Sequence, residues 1–242
     1  MTVQLLPTMN ALRDNHHPAL DFMKARERMV REQIIARGIK DPRVIEAMQQ
    51  VPRDLFVPEA LAGQAYGDFA LPIGEGQTIS QPYMVAYMSE ILDLSGKERV
   101  LEVGTGSGYH TAVLSRLAER VYSVERIRSL LERARRILDQ IQCRNVLTRL
   151  SDGSYGWREE APFDAILATA GSPSLPEPLL EQLKVGGTMV IPVGGRNVQR
   201  LMRVRRDSHG LLEEDLMECS FVALVGDYGW PKREKYDPYS PK

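Results

Sequence analysis

The 242-residue chain has only two cysteines, Cys143 and Cys219, far apart and without CxxC spacing or clustered histidines beside them. That excludes a disulfide scaffold and the usual Cys/His metal sites, so no metal ligand set is expected. No apolar run reaches the about 18 residues that a membrane-spanning helix needs. The amino-terminal MTVQLLPTMNALRDNHHP also lacks an apolar stretch with basic flanks. Neither export nor membrane insertion is expected, and the cytoplasm is the expected compartment. An excess of one charge is missing too, since 31 Lys+Arg face 32 Asp+Glu for a formal net charge of -1. Composition therefore supplies no bulk attraction to nucleic acid or anionic lipid, and neither is expected as a partner.

What is present is enough apolar material, 43% of the chain, for one sizeable core with attachments. Residues 1–20, with His16 and His17 beside Pro18, read as a leader; two adjacent histidines without a third ligand do not make a metal site. Residues 21–95 read as a helical and loop region. Phe22 to Arg37 has apolar residues at helical spacing and Gly38 as a stop; Asp41 is placed to cap a second helix, with Pro42 at its first position. Tyr66 to Pro82 shows little periodicity and is longer than an ordinary connection, which marks it as a functional loop. A helix is expected over Tyr83 to Leu92.

Residues 96–225 change character. Strand patterns at Arg99–Val103, Arg120–Val124, Asn145–Leu150, Phe163–Thr169 and Thr188–Val193 alternate with helical ones at His110–Ala118, Ile127–Ile141 and Pro178–Leu183. The strands barely alternate in polarity, so they are buried on both faces. The fold class is α/β, a doubly wound, mostly parallel sheet. Gln199–Arg206 and Met217–Leu224 read as an antiparallel pair at its far end, and residues 226–242 as a proline-containing tail.

The first of these strands runs into VLEVGTGSGY, Val100 to Tyr109, whose glycines stand two apart. Gly104, Gly106 and Gly108 bring backbone close to a ligand at the carboxyl end of that strand. No Gly-Lys-Ser/Thr follows, which excludes a Walker loop, and GxGxxG is not matched because the third glycine falls one position early. The loop suits a ligand without phosphates at this point. The second strand ends at Glu125, about 20 residues on, where an acid reaches a ribose diol, and the third ends before Asp152-Gly153. Taken singly, Glu125 could serve only to open the next helix and Asp152 only a turn. Together three consecutive parallel strands present the glycine turn, Glu125 and Asp152 to one crevice, which favours a nucleoside ligand.

VLEVGTGSGY, the acid of SVER and PFDAILATA resemble the class I S-adenosylmethionine-dependent methyltransferases. Within these, LPIGEGQTISQPYMVAYM, Leu71 to Met88, resembles the signature of protein-L-isoaspartate O-methyltransferases; the similarity runs from about Met29 to Leu224. The resemblance implies a seven-stranded Rossmann-like sheet with a helical amino-terminal extension. It also implies methyl transfer from S-adenosylmethionine to the free α-carboxylate of L-isoaspartyl residues in damaged proteins and peptides, leaving S-adenosylhomocysteine, by a monomeric enzyme. In that family the counterparts of Gly104, Thr105, Gly106, Ser107 and Gly108 line the methionine end of the cofactor, Glu125 holds the ribose and Asp152 lies near the adenine. Glu102, Arg126 and Gly153 complete the expected cofactor set.

A carboxylate acceptor is already ionised near pH 7, so the chemistry calls for alignment rather than a strong base. Ser80 is the expected catalytic residue, its hydroxyl donating to one substrate oxygen. The alternative is a helix cap before Pro82. Thr78 and Gln81 are expected to shape the same pocket, and His110, Ser220 and Val222 to meet substrate. Tyr109 is assigned either to the methionine end of the cofactor or to the core, and Asp164 to support of the Gly104 loop. Two segments depart from the family pattern, AGSPSLP at Ala170–Pro176 and CSFVALV at Cys219–Val225, on the substrate side. This keeps a second acceptor class open, an aspartyl carboxylate of a dedicated partner polypeptide. The other alternative is a cofactor-binding module without transfer. A base-flipping amino-methyltransferase is disfavoured, since ATAGSP is no DPPY-like motif.

Overall fold

The computed structural model describes residues 18–232. The leader up to residue 17, with its two histidines, and the tail beyond 232 lie outside the described residues. Helix α1 (Pro18–Met29) passes into a π turn at Val30–Ile34 and a 3-10 turn at Ile35–Arg37, so the single helix expected over 22–37 is broken in its last two turns. The turns keep Val30 and Ile34 buried, and Gly38 ends the segment at φ 96°. In α2 (Pro42–Gln50) the Asp41 carboxylate accepts from the Arg43 amide at 2.9 Å, with Pro42 at the first position.

The segment 66–82 is not a structureless loop. Leu71–Gly74 (β1) and Gln77–Ile79 (β2) pair as an antiparallel hairpin. Its turn places Gly74, Glu75 and Gly76 all at positive φ, conformations that glycine adopts without steric cost. Leu71, Ile73 and Ile79 point into the core, an alternation too short to register as a period. Helix α3 (Pro82–Ile91) follows directly.

The main sheet has seven strands in the order β5-β4-β3-β6-β7-β8-β9. Its parallel part is β3 (Arg99–Val103), β4 (Arg120–Glu125), β5 (Val146–Leu150), β6 (Phe163–Ala168) and β7 (Leu183–Gly194). Helices α4 (Tyr109–Leu114), α5 (Arg128–Gln140) and α6 (Glu177–Gln182) connect them. Neighbouring residues in each strand face opposite ways, and both sides are buried. Val100, Val121, Ala165 and Val190 join the core under the amino-terminal helices, while Leu101, Tyr122, Ile166 and Met189 join the core that Leu179 of α6 seals. The chain leaves β3 for β4 and β5 on one side and returns at β6 on the other. The carboxyl ends of β3 and β6 therefore flank the topological switch point, the ordinary ligand position in such sheets.

At the far end, β8 (Gln199–Arg206) pairs antiparallel with β9, but β9 spans Leu211–Cys219 rather than 217–224. The Asp207 side chain accepts from the His209 and Gly210 amides and turns the chain early. The new strand is exposed and acidic, matched by Arg200–Asp215 and Arg203–Glu214 across the pair, so apolar patterning could not reveal it. Residues 221–225 leave the sheet ladder instead. The Gly171 amide donates to the Val222 carbonyl at 2.7 Å and the Leu224 amide to the Gly171 carbonyl at 2.8 Å. Past residue 225 the described part of the tail folds back, with Trp230 pairing Val225.

Candidate active site

A cleft lies over the switch point, walled by Val103, Gly104 and Gly106, by Glu125 and Ile127, by Gly153, and by Thr169 and Val222–Val225. Gly104, Gly106 and Gly108 all have positive φ, at 101°, 54° and 88°. A Cβ on Gly104 would collide with Thr169 Oγ1, and one on Gly153 would stand 2.7 Å from Val103 Cγ1. The bare backbone is therefore a steric requirement of this turn. The Thr169 hydroxyl donates to the Gly104 carbonyl at 2.6 Å, pinning the loop after β3 to the end of β6. Glu125 Oε2 accepts from the Gly106 amide and Oε1 from the Ile127 amide, each at 2.9 Å. Each oxygen keeps a second lone-pair direction for a ligand hydroxyl.

A second cleft adjoins the first and shares Thr78, Thr169 and Val222 with it. Its walls are Asp68–Ala70, Ser80, Gln81 and Met84 on one side and Met217–Val222 on the other. The α3 cap is Gln81, without a side-chain cap bond, so the Ser80 hydroxyl is not spent on capping the helix. Gln81 Nε2 instead donates to the Asp68 carbonyl at 3.0 Å and to Asp68 Oδ1 at 2.8 Å, bracing the rim. Ser220 lines this cleft and Val222 stands between the two. Phe221 is anchored from below, its amide donating to Gln199 Oε1 at 2.8 Å.

The family profile described as Protein-L-isoaspartate(D-aspartate) O-methyltransferase (PCMT) matches residues 24–229, most of the chain and both clefts. The chain belongs to this family. It is 60% identical over 212 residues to a protein-L-isoaspartate O-methyltransferase of Syntrophus aciditrophicus, covering 86% of this chain and 97% of that one. It is 59% identical over 216 residues to one from Geobacter metallireducens, covering 89% and 100%. A solved protein-L-isoaspartate O-methyltransferase superposes with a TM-score of 0.76 at 30% identity, over 84% of this chain and 67% of that one. A putative enzyme of the same name from Plasmodium falciparum, crystallised with S-adenosyl-L-homocysteine, gives 0.72 at 25%, over 83% and 98%. The seven-stranded fold and the helical extension are those of the isoaspartyl methyltransferases.

Within this member of the family, several expected residues stand elsewhere than the sequence suggested. Glu102 is not on a cleft wall: it is fully buried beneath the glycine loop, its Oε2 accepting from Thr111 and Ser123 hydroxyls at 2.5 and 2.6 Å. Its Oε1 has no partner, and burial pushes the carboxyl up to about 8. Thr105 and Ser107 turn their hydroxyls inward, to Ser123 and to the Tyr109 amide, and meet ligand space only through a small cavity beside Ser80. His110 borders that cavity, but Ser89 holds its Nε2 at 3.0 Å. The Ser89 proton goes to the Val85 carbonyl, so Nε2 carries the hydrogen and donates. Burial lowers the imidazole to about 3, leaving it neutral.

Tyr109 is wholly in the core, edge-on to Phe56. Asp152 sits by a shallow depression with Arg126, and its oxygens accept from Ser154 and from the Asp227 amide. Arg126 borders both this depression and the glycine-loop cleft. Asp164 is at the opposite end of the sheet, accepting from the Arg99 amide and pairing with Lys184 at 2.7 Å, so it does not support the Gly104 loop. Thr169 and Phe69 were not anticipated. A threonine ending an apolar strand and a phenylalanine in an aperiodic stretch carry no local signal of a site.

Proposed function

We propose that the chain uses S-adenosylmethionine to methylate the free α-carboxylate of L-isoaspartyl residues in damaged proteins and peptides, as a cytoplasmic monomer. The observation that carries this reading is the meeting of two clefts at Thr78, Thr169 and Val222, one floored by the glycine loop and Glu125, the other edged by Ser80. The first fits the cofactor: its turn leaves no space for a Cβ at Gly104, Glu125 retains acceptor capacity for a diol, and no lysine or arginine lines it except Arg126 at the rim. Bound there, S-adenosylmethionine would supply an electrophilic methyl group on a cationic sulfur.

The protein's own task is orientation. Gly104 and Gly106 would hold the methionine arm, Glu125 the ribose, and Gly153 with Val225 the adenine end. The Ser80 hydroxyl donates to one oxygen of the acceptor carboxylate and so leaves the other free to point across Thr78 and Thr169. An ionised carboxylate needs no base, in keeping with a neutral, committed His110. The apolar partition of Val222 and Phe221 keeps competing water from the reacting atoms.

The test is methyl incorporation from labelled S-adenosylmethionine into two peptides that differ only in L-isoaspartate against L-aspartate. Transfer to the isoaspartyl peptide alone is expected. Transfer to neither, with the cofactor bound, sinks the reading and directs attention to a dedicated partner carboxylate.

A further inference from the structure

Arg53 is the largest fully buried side chain of the described residues. It opens the 3-10 turn Arg53–Phe56, well before the signature segment in the chain. Its Nε donates to the Ala65 carbonyl and its Nη2 to the Ser80 carbonyl, each at 2.7 Å. The guanidinium lies 4.8 Å from the centre of the Tyr109 ring, and Tyr109 and Ser80 both border the small cavity that the glycine loop also lines. Nη1 has no partner, and among the described residues Arg53 forms no salt bridge. Burial lowers its pKa to about 10, which leaves it cationic at pH 7.

A buried cation without a counter-ion is expensive, and two carbonyl acceptors compensate it only in part. A neutral side chain of similar volume would fill the same space at lower cost. The positive charge has a use if an anion arrives next to it, and in the reading above an anion does: the acceptor carboxylate at Ser80. We propose that Arg53 is the positioning residue for that carboxylate, fixing the Ser80 main chain and supplying from behind it the positive charge that selects a carboxylate over a neutral group. The placement suits the reaction. Arg53 lines neither cleft, and the main chain it holds is that of Ser80, which borders the acceptor cleft and not the glycine-loop cleft, so the charge is offered to the anionic acceptor through Ser80.

This inference rests on the proposed function, and the experiment separates the two. Binding is measured in the presence of S-adenosylhomocysteine for an isoaspartyl peptide and for the same peptide with that α-carboxylate amidated. Wild type should prefer the carboxylate by about tenfold or more, as expected for a charge in a partly desolvated site. Arg53→Gln, which keeps a donor for one carbonyl, should reduce the preference to about twofold or less, with binding of the amidated peptide and of S-adenosylhomocysteine held within about threefold. Arg53→Lys should retain the preference. Equal weakening of both peptides in Arg53→Gln would reduce Arg53 to a scaffold residue. Equal binding of the two peptides by wild type overturns the proposal even if no variant folds. Wild type that methylates no isoaspartyl peptide overturns the parent reading instead.

Discussion

Ser80 on the acceptor cleft and Glu102 beneath the glycine loop show how differently two polar residues are held. In the proposed role Ser80 contributes a single hydrogen bond to a charged acceptor, an interaction worth roughly 1.5–3 kcal/mol. Ser80→Ala should therefore lower kcat/KM for an isoaspartyl peptide by about ten- to a hundredfold with cofactor affinity unchanged; unchanged kcat/KM would remove Ser80 from the chemistry. Glu102 titrates with a different consequence. Its ordinary value is 4.5 and its folded value about 8, so between these the native protein keeps a proton that the unfolded chain has lost. The stability it contributes is complete below pH 4.5 and drains as pH rises to 8. Thermal unfolding of Glu102→Gln followed from pH 5 to about 8.5 should show wild type losing ground to the variant. Parallel curves would mean that Glu102 is ionised in the folded state. His110 acts with opposite sign, because burial depresses it from 6.5 to about 3 and the unfolded chain takes up the proton first. Its contribution is present above pH 6.5 and lost as pH falls toward 3.

At the scale of elements, the turn after β3 is set by conformation as much as by space. Gly104→Ala would force a side chain into φ 101° and against Thr169 Oγ1 together. A loss of about 1–3 kcal/mol in stability is expected from the backbone strain. Calorimetric titration should also show cofactor binding weakened by tenfold or more, in line with about 1.4 kcal/mol of lost preorganisation; wild-type affinity would show that the loop tolerates displacement. The pairing of β8 with β9 has a different source. Its Arg–Asp and Arg–Glu contacts are exposed, so each adds little beyond register. Glu214→Ala should cost under about 1 kcal/mol in chemical denaturation, and a larger loss would mean that Arg203 and Arg205 depend on it more than their exposure suggests.

The whole molecule joins these elements through the segment after β9. Gln199 on β8 holds Phe221, Gly171 after β6 holds Val222 and Leu224, and the same stretch walls both clefts. A Cβ on Gly171 would stand 3.0 Å from Gln199 Cδ, so the segments that follow β6 and β9 meet in space at this glutamine. Gln199→Leu should release Phe221 while Leu224 stays paired with Gly171. The expected result is KM for the isoaspartyl peptide raised by about threefold to tenfold with kcat little changed, the pattern of lost uniform binding. A fall in kcat at constant KM would instead place this wall in the transition state.

The sequence by itself determined the α/β class, the glycine turn, the acid ending β4, and the helix begun by Asp41 and Pro42. Each depends on neighbours within a few residues: a cap needs its own amide, and an apolar strand announces burial wherever it lies. It also carried the family through Leu71–Met88. Only the tertiary structure decided which polar groups face ligand. Glu102, one residue before the end of β3, went beneath the loop because alternate residues of a strand face opposite sides, and the sheet is covered on both. Asp164 went to the opposite end of the sheet because it begins its strand rather than ending it. Arg53 met Ser80, 27 residues later in the chain, because burial of the hairpin and of Tyr109 brings two distant main-chain segments around one guanidinium. No local pattern encodes that meeting; packing around a shared core does.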